Sequence, residues 1–151
     1  VTGYDANGKA IVIYDETGKE VSVGRPGATS CVVWTTEGWP ISNDGSEDEA
    51  KRKSGTTLDN GTVLRIVRFD PGVTPRNHRT DSIDYAVVMS GEIDMDLDGT
   101  VVHLKAGDIL VQRGTVHNWI NRGKEPCVIA FSLIYAKPVT TKSGKKLDAH
   151  G

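Results

Sequence analysis

Gly72 to Asn121 reads GVTPRNHRTDSIDYAVVMSGEIDMDLDGTVVHLKAGDILVQRGTVHNWIN, and this stretch decides the fold. Its first half runs Gly72, five residues, His78-Arg79-Thr80, three residues, Asp84, six residues, Gly91. Its second half runs Gly107-Asp108, then Arg113-Gly114-Thr115-Val116-His117, three residues, Asn121. A short hairpin ending in Asp98-Gly99 separates the two. Residues two apart in a strand share a face, so His78 and Thr80 point the same way and Asp84 has matching parity. Tyr85 and Val87 then face the opposite layer. His117 enters from another strand after the tight Arg113-Gly114 turn. The spacings therefore bring His78, Thr80, Asp84 and His117 towards one spot.

Outward from this core the chain reads as short strands. Ala10 to Tyr14 is a strand ended by Asp15-Glu16-Thr17-Gly18, with Glu20 to Val23 as its returning partner. Thr29 to Thr36 and Thr62 to Phe69 follow, the latter stopped by Asp70-Pro71-Gly72. Ile83 to Met89 and Gly91 to Leu97 read as the next pair. In Glu92-Ile93-Asp94-Met95-Asp96-Leu97 the acids alternate with apolar residues, which places Ile93, Met95 and Leu97 inward without any acidic site. Asp98-Gly99 fits a tight hairpin turn. Thr100 to Leu104, Ile109 to Gln112, Asn118 to Ile120 and Cys127 to Tyr135 complete the set. No window carries an apolar stripe at the helical period, and Glu47 to Lys53 is the best place for one helical turn.

Composition limits the possibilities further. The 151 residues include 17 glycines and 6 prolines, scattered singly between runs rich in Val, Ile and Thr, as expected of an all-β domain with many turns. The net charge of −2 comes with no basic stripe for nucleic acid and no polybasic membrane patch. No apolar run approaches the ~20 residues needed to cross a bilayer, and no signal peptide is visible. Cys31 and Cys127 are too few for a disulfide framework and read as reduced thiols in a cytoplasmic protein. The expected organisation is one structural domain: N-terminal strands and a long polar loop over 1–60, a barrel core over 61–136, and a flexible Lys- and Gly-rich tail over 137–151. The polar stretch from Glu37 to Asn60 is expected to be a surface flap or a lid over the barrel mouth. Trp34 and Trp39 are expected to be core and loop anchors.

The two glycine-bracketed segments resemble those of the cupin family, small jelly-roll β-barrels whose paired motifs build one site inside the barrel. The resemblance covers about fifty residues, and roughly eight to ten short strands suit such a barrel. It implies one cupin domain, with the extra N-terminal strands packing on a second subunit as a homodimer. In the family the corresponding positions are two histidines, a glutamate and a third histidine, which hold a divalent metal such as Fe, Mn or Zn. Carried over, His78 and His117 keep their places, Asp84 stands for the glutamate, and Thr80 replaces a histidine. A hydroxyl is a poor ligand beside imidazole. Asp is one methylene shorter than Glu, so its oxygens fall about 1.5 Å short unless the backbone moves in.

The expected chemistry follows from those residues. His78, Asp84 and His117 form either a two-histidine, one-carboxylate metal site or, without metal, an acid–base set in which Asp84 raises the proton affinity of His117 while burial opposes it. Such a set suits dehydration, isomerisation, cyclisation or decarboxylation of an oxygenated carbon skeleton. An Fe(II) dioxygenase using the same three residues is the runner-up. A non-catalytic binding or sensing domain is the third reading, although sensor cupins usually travel with a helix-turn-helix that this chain lacks. Thr80 and Trp119 are expected to contact substrate, Trp119 as a flat wall. Arg65 and Arg68 lie on opposite faces, and whichever points inward is an anchor for a carboxylate or enolate. Small cupins of this kind include enzymes that modify natural products such as polyketides.

Overall fold

The structure is a computed structural model describing residues 1–151. Eleven strands run in chain order: β1 (Thr2–Tyr4), β2 (Ala10–Val12), β3 (Val21–Ser22), β4 (Ala28–Glu37), β5 (Gly61–Phe69), β6 (Ser82–Ser90), β7 (Glu92–Leu97), β8 (Thr100–Lys105), β9 (Ile109–Arg113), β10 (Asn118–Ile120) and β11 (Cys127–Tyr135). One 3₁₀ turn, Glu49–Lys51, falls inside the segment expected to hold a helical turn. No helix is long and apolar enough to cross a membrane.

Two antiparallel sheets face each other as a jelly-roll barrel. The larger has the order β3-β4-β5-β11-β6-β9 and the smaller β10-β7-β8, while β1 and β2 pair only with each other. Strand alternation fills the space between the sheets. Val63, Ala86, Val88, Ile129 and Phe131 point in from the larger sheet, and Ile93, Met95, Leu104 and Trp119 from the smaller. Ile93 and Met95 are fully buried while Glu92 is exposed. Asp94 turns out to His103 and Arg122 on the surface, so this acidic run is a solvated face. Truncating Ile93 or Met95 to Ala costs about 2–5 kcal/mol.

Three pairings differ from the sequence reading. The strand at Val21 does not return onto Ala10–Tyr14; β3 pairs with β4, Val21 opposite Ser30. β2 instead closes a hairpin with β1, whose turn is held by the Asp5 carboxylate accepting from the Asn7 and Lys9 backbone N–H groups. Nor do β6 and β7 pair across Ser90-Gly91. β6 lies between β11 and β9, β7 between β10 and β8, so the bend carries the chain from one sheet to the other. Gly91 makes that crossing feasible. Its φ is +75°, and a Cβ there would sit 2.5 Å from the Pro126 carbonyl oxygen and 3.0 Å from Cys127 Cα.

The chain from Lys137, expected to be loose, follows a defined path instead. It folds through a turn in which Leu147 N–H donates to the Val139 carbonyl. His150 and Arg79 then exchange backbone hydrogen bonds of 2.9 and 3.0 Å. The backbone of Arg79 precedes β6 with free groups, and the tail satisfies them. The polar Glu37–Asn60 segment is tied down by Arg52, which pairs with Glu37 at 2.7 Å and with Glu49. Trp34 is half-buried on β4, whereas Trp39, expected to be an anchor, is 63% exposed.

Gly91 and Gly72 separate the two requirements on a glycine. Both have positive φ, but around Gly72 a Cβ meets nothing within 4 Å. Gly91→Ala adds a clash with fixed backbone to the conformational strain, so it is expected to lower stability by about 3 kcal/mol or more, against about 1 kcal/mol for Gly72→Ala. In thermal melts this corresponds to a Tm loss of roughly 6–12 °C against 2–4 °C. Equal losses would show that the crossing is not sterically constrained.

Candidate functional site

Between the sheets the barrel holds an open-mouthed cavity of about 480 Å³. His78, Thr80, Asp84, His117 and Trp119 all line it, so the side chains singled out in the sequence face one cavity, Asp84 from the larger sheet and Trp119 from the smaller. An antiparallel bridge brings the two imidazoles together. His78 N–H donates to the His117 carbonyl at 3.1 Å and His117 N–H to that of His78 at 3.0 Å, which leaves the ring centroids 4.1 Å apart. Each ring is oriented by a backbone carbonyl at its Nδ1, Arg76 for His78 at 3.2 Å and Thr115 for His117 at 3.0 Å. The Gln112 carboxamide also lies against the ring of His117.

Asp84 sits on the inner face of β6, 5% exposed. Its hydrogen-bond donor is the Ser82 hydroxyl at 2.6 Å, and Ser82 is 2.8 Å from the Thr80 hydroxyl. Because the Ser82 proton goes to Asp84, Thr80 donates to Ser82. Thr80, Ser82 and Asp84 thus form a line of side chains two residues apart, as strand parity requires. Arg65 supplies the nearest positive charge. It is the inward arginine of β5, while Arg68 points out to Asp70 at 2.9 Å.

The proton affinities reverse the expected assignment. The sequence reading sets Asp84 beside His117 and lets His117 titrate near neutrality. In the structure Asp84 bonds to Ser82, and His117 to Gln112 and Thr115, with no hydrogen bond between them. Burial, reinforced by neighbouring His78, pushes His117 down to about 4. Burial likewise holds His78 below the usual histidine value. Asp84 is the group near neutrality: burial raises it to about 6, against the opposing effects of the Ser82 hydrogen bond and the Arg65 charge. A carboxyl with a single hydroxyl donor and an indirect cation remains poorly solvated, so desolvation wins.

The expected metal site does not close. His78 and His117 are neutral imidazoles with oriented Nδ1 atoms, which suits ligation through Nε2. A third donor is missing from their company. No three His, Cys, Asp or Glu side chains gather around one point that would hold an ion. Asp84 is engaged with Ser82, and Thr80 is committed to the same hydroxyl line. The donor set of this wall does not fit a two-histidine, one-carboxylate centre, because the short aspartate stays on its own strand.

Trp119 does line the cavity, and it is also part of the core, packed between Phe69 and Phe131 with centroids 6.0 and 5.6 Å away. Asn121 secures its turn, its Nδ2 donating to the Phe69 and Glu125 carbonyls. Several site residues escape the sequence reading. Gln112 sits directly across from Asp84 in the β6–β9 register, a relation that becomes visible only once those strands are known to pair. Ser82 shares the Thr80–Asp84 parity and is legible from spacing alone. Arg25, in a turn without periodicity, reaches the wall through the Thr74 and Trp119 carbonyls.

The two shifted groups act on stability in opposite senses. Asp84 binds its proton more tightly folded than unfolded, so its contribution is present below about pH 4 and is lost as pH rises through about 6. His117 is held neutral in the fold, so its contribution is present above about 6.5 and is lost as pH falls towards about 4. Asp84→Asn keeps the Ser82 hydrogen bond and removes the charge. Its stability relative to the parent is expected to rise by about 1–3 kcal/mol between pH 4 and pH 7. Denaturant melts across that range measure it, and a pH-independent difference would contradict the burial argument.

Residues 65–134, which contain all of these motif positions, match the family model described as "Cupin domain". A cupin-domain-containing oxidoreductase of Aspergillus ruber is 34% identical over 99% of this chain and 77% of its own length. Phomopsin biosynthesis cluster protein C' of Diaporthe leptostromiformis is 38% identical over 92% of this chain and 78% of its own. Among solved structures, the polyketide cyclase RemF from Streptomyces resistomycificus superposes with a TM-score of 0.55 over 87% of this chain and 78% of that one, at 13% identity. An RmlC-like cupin from Shewanella frigidimarina gives 0.54 over 82% and 89%, at 16% identity. With an inner-face cavity, a jelly-roll barrel and relatives alike over 92–99% of this chain in agreement, the chain belongs to the cupin family.

Proposed function

We propose that the protein is a small-molecule enzyme of lyase or isomerase type that moves protons on an oxygenated carbon skeleton. The observation that carries this reading is Asp84, a buried carboxyl on the cavity wall with a proton affinity near neutrality. General bases work best when their pKa lies close to the working pH. Relatives named for the phomopsin cluster support a place in natural-product metabolism.

The residues divide the work as follows. The ionised Asp84 takes a proton from the carbon next to a substrate carbonyl, and the C–H electron pair moves into an enolate. That charge develops in a cavity whose charged side chains other than Asp84 are the guanidiniums of Arg25, Arg65 and Arg76, which favour an anion. Protonated Asp84 then gives its proton to a β-hydroxyl, which leaves as water with the C–O electron pair, or, in a β,γ-unsaturated substrate whose enolate is a dienolate, to the γ-carbon, which leaves the α,β-unsaturated isomer. His117 and His78, both neutral at pH 7, accept hydrogen bonds from substrate hydroxyls and fix which carbon faces Asp84. Thr80 and Ser82 hold the carboxyl in place, and Trp119 walls the apolar side.

Asp84→Asn is expected to lower kcat about 10²–10⁴-fold on β-hydroxy ketone substrates while the protein stays folded. For the parent, log kcat/KM is expected to rise with pH through about 6 and level off above it. An unchanged rate in the Asn variant overturns the assignment. The name "oxidoreductase" carried by several relatives favours a second reading as an Fe(II) dioxygenase. Elemental analysis of tag-free protein separates the two: stoichiometric iron, with turnover lost on chelation, replaces the proton-transfer reading. Wild-type protein that binds such compounds without turning any over points to a binding domain.

A further inference from the structure

The chain carries a net charge of −2, yet the charged side chains lining its cavity are Arg25, Arg65, Arg76 and the single acid Asp84. Three guanidiniums against one carboxyl leave the wall with an excess of two positive charges. No acidic side chain pairs with any of the three, since the arginines that do pair so are Arg52, Arg68, Arg79 and Arg122. Arg25 donates to the Thr74 and Trp119 carbonyls and to Asn118 Oδ1, and Arg65 to the Gly55 carbonyl, all neutral partners. Arg76 donates to the main-chain oxygen of Gly151. Buried cations without acids are costly to maintain unless something else supplies the negative charge.

Arg65 is the most exposed to this argument. It sits mid-strand on the inner face of the sheet, and its Nε is buried with no acceptor. Ser30, whose register partner Val67 lies two residues along β5, has a buried hydroxyl that is also without a partner. These two unsatisfied groups are diagonal neighbours on the β4–β5 wall. Residues 54–56 of the long polar segment close over the same place and supply the Gly55 carbonyl that holds the guanidinium. Val67, Phe69, Trp119, Phe131 and Leu133 give the remainder of the cavity an apolar, aromatic surface.

We propose that the ligand of this cavity is a carboxylic acid with an apolar or aromatic body, its carboxylate seated on Arg65 beside Ser30. This names the substrate class for the proton-transfer reading and rests on that reading's choice of cavity. A guanidinium matches a planar carboxylate through parallel N–H donors, which an amide or ester cannot replace. With the carboxylate on β5, the far end of the molecule extends across β11 towards Asp84 on β6, in keeping with the strand order β5-β11-β6.

Isothermal titration with cinnamate, cinnamamide and phenyl phosphate tests the proposal, using the parent and Asp84→Asn so that binding is read apart from turnover. Cinnamate is expected to bind at least about 10-fold more tightly than cinnamamide to both proteins. It should bind Asp84→Asn more tightly than the parent, because a competing negative charge is gone. Arg65→Gln should erase the preference over the amide, and Arg65→Lys, which keeps the charge without the fork, should retain part of it. Equal binding of acid and amide to the parent overturns the proposal, as does a preference untouched in a folded Arg65→Gln or fully retained in Arg65→Lys. Tighter binding of phenyl phosphate overturns the carboxylate class in favour of a phosphate ester. A cinnamate preference in a protein found to hold iron would leave this inference standing while the proton-transfer reading fails.

Discussion

The barrel places a carboxyl on a sheet face that is otherwise built to exclude water, and gives it one hydroxyl to hold. Much of the site is arranged around that constraint. Asp84 cannot leave the inner face without moving Ser82, Ala86 and Val88 with it, because the strand's alternation is fixed by burial. Thr80 and Ser82 direct the carboxyl from its own strand, and Gln112 faces it from the neighbouring one. Arg65 offsets some of the desolvation from two strands away without meeting it in an ion pair. A tighter partner would drop the proton affinity and leave an inert carboxylate. Partial compensation is what keeps the group near neutrality.

The same burial acts with opposite sign on the imidazoles. His78 and His117 are clamped ring to ring by their backbones, and burial makes it hard for either to take up a proton, with His78 adding to the effect on His117. Neutral rings accept hydrogen bonds and would ligate a metal, yet the third donor that the family pattern supplies has been shortened to Asp84 and drawn into a different network. The substitution of Thr80 belongs to that change. Where the family has an imidazole, this chain has the first hydroxyl of the line that ends at the carboxyl.

Much of this was legible in the residues. Strands from Thr29 onward follow from alternation and turn chemistry, and the two glycine-bracketed segments locate the cavity wall. The misses have one cause: pairing between strands is a tertiary fact that alternation does not contain. It hid the sheet-to-sheet crossing at Gly91, the β1–β2 hairpin, the position of Gln112 across from Asp84, and the inward choice of Arg65 over Arg68. The proton affinities depend on the same tertiary fact. His117 and Asp84 line one cavity, yet each bonds to different partners, which motif spacing does not reveal. The tail looked loose because Lys and Gly dominate it, whereas backbone pairing with Arg79 depends little on side-chain type.

Carbon-detected NMR of a ¹³C-labelled aspartate sample, titrated from pH 3 to pH 8 and assigned with Asp84→Asn, reads the decisive quantity directly. The Asp84 carboxyl is expected to titrate at about 6, well above the exposed aspartates in the same spectrum. A midpoint near or below the ordinary aspartate value of about 4 would mean that the carboxyl is well solvated or firmly paired, and the account built on it would be wrong.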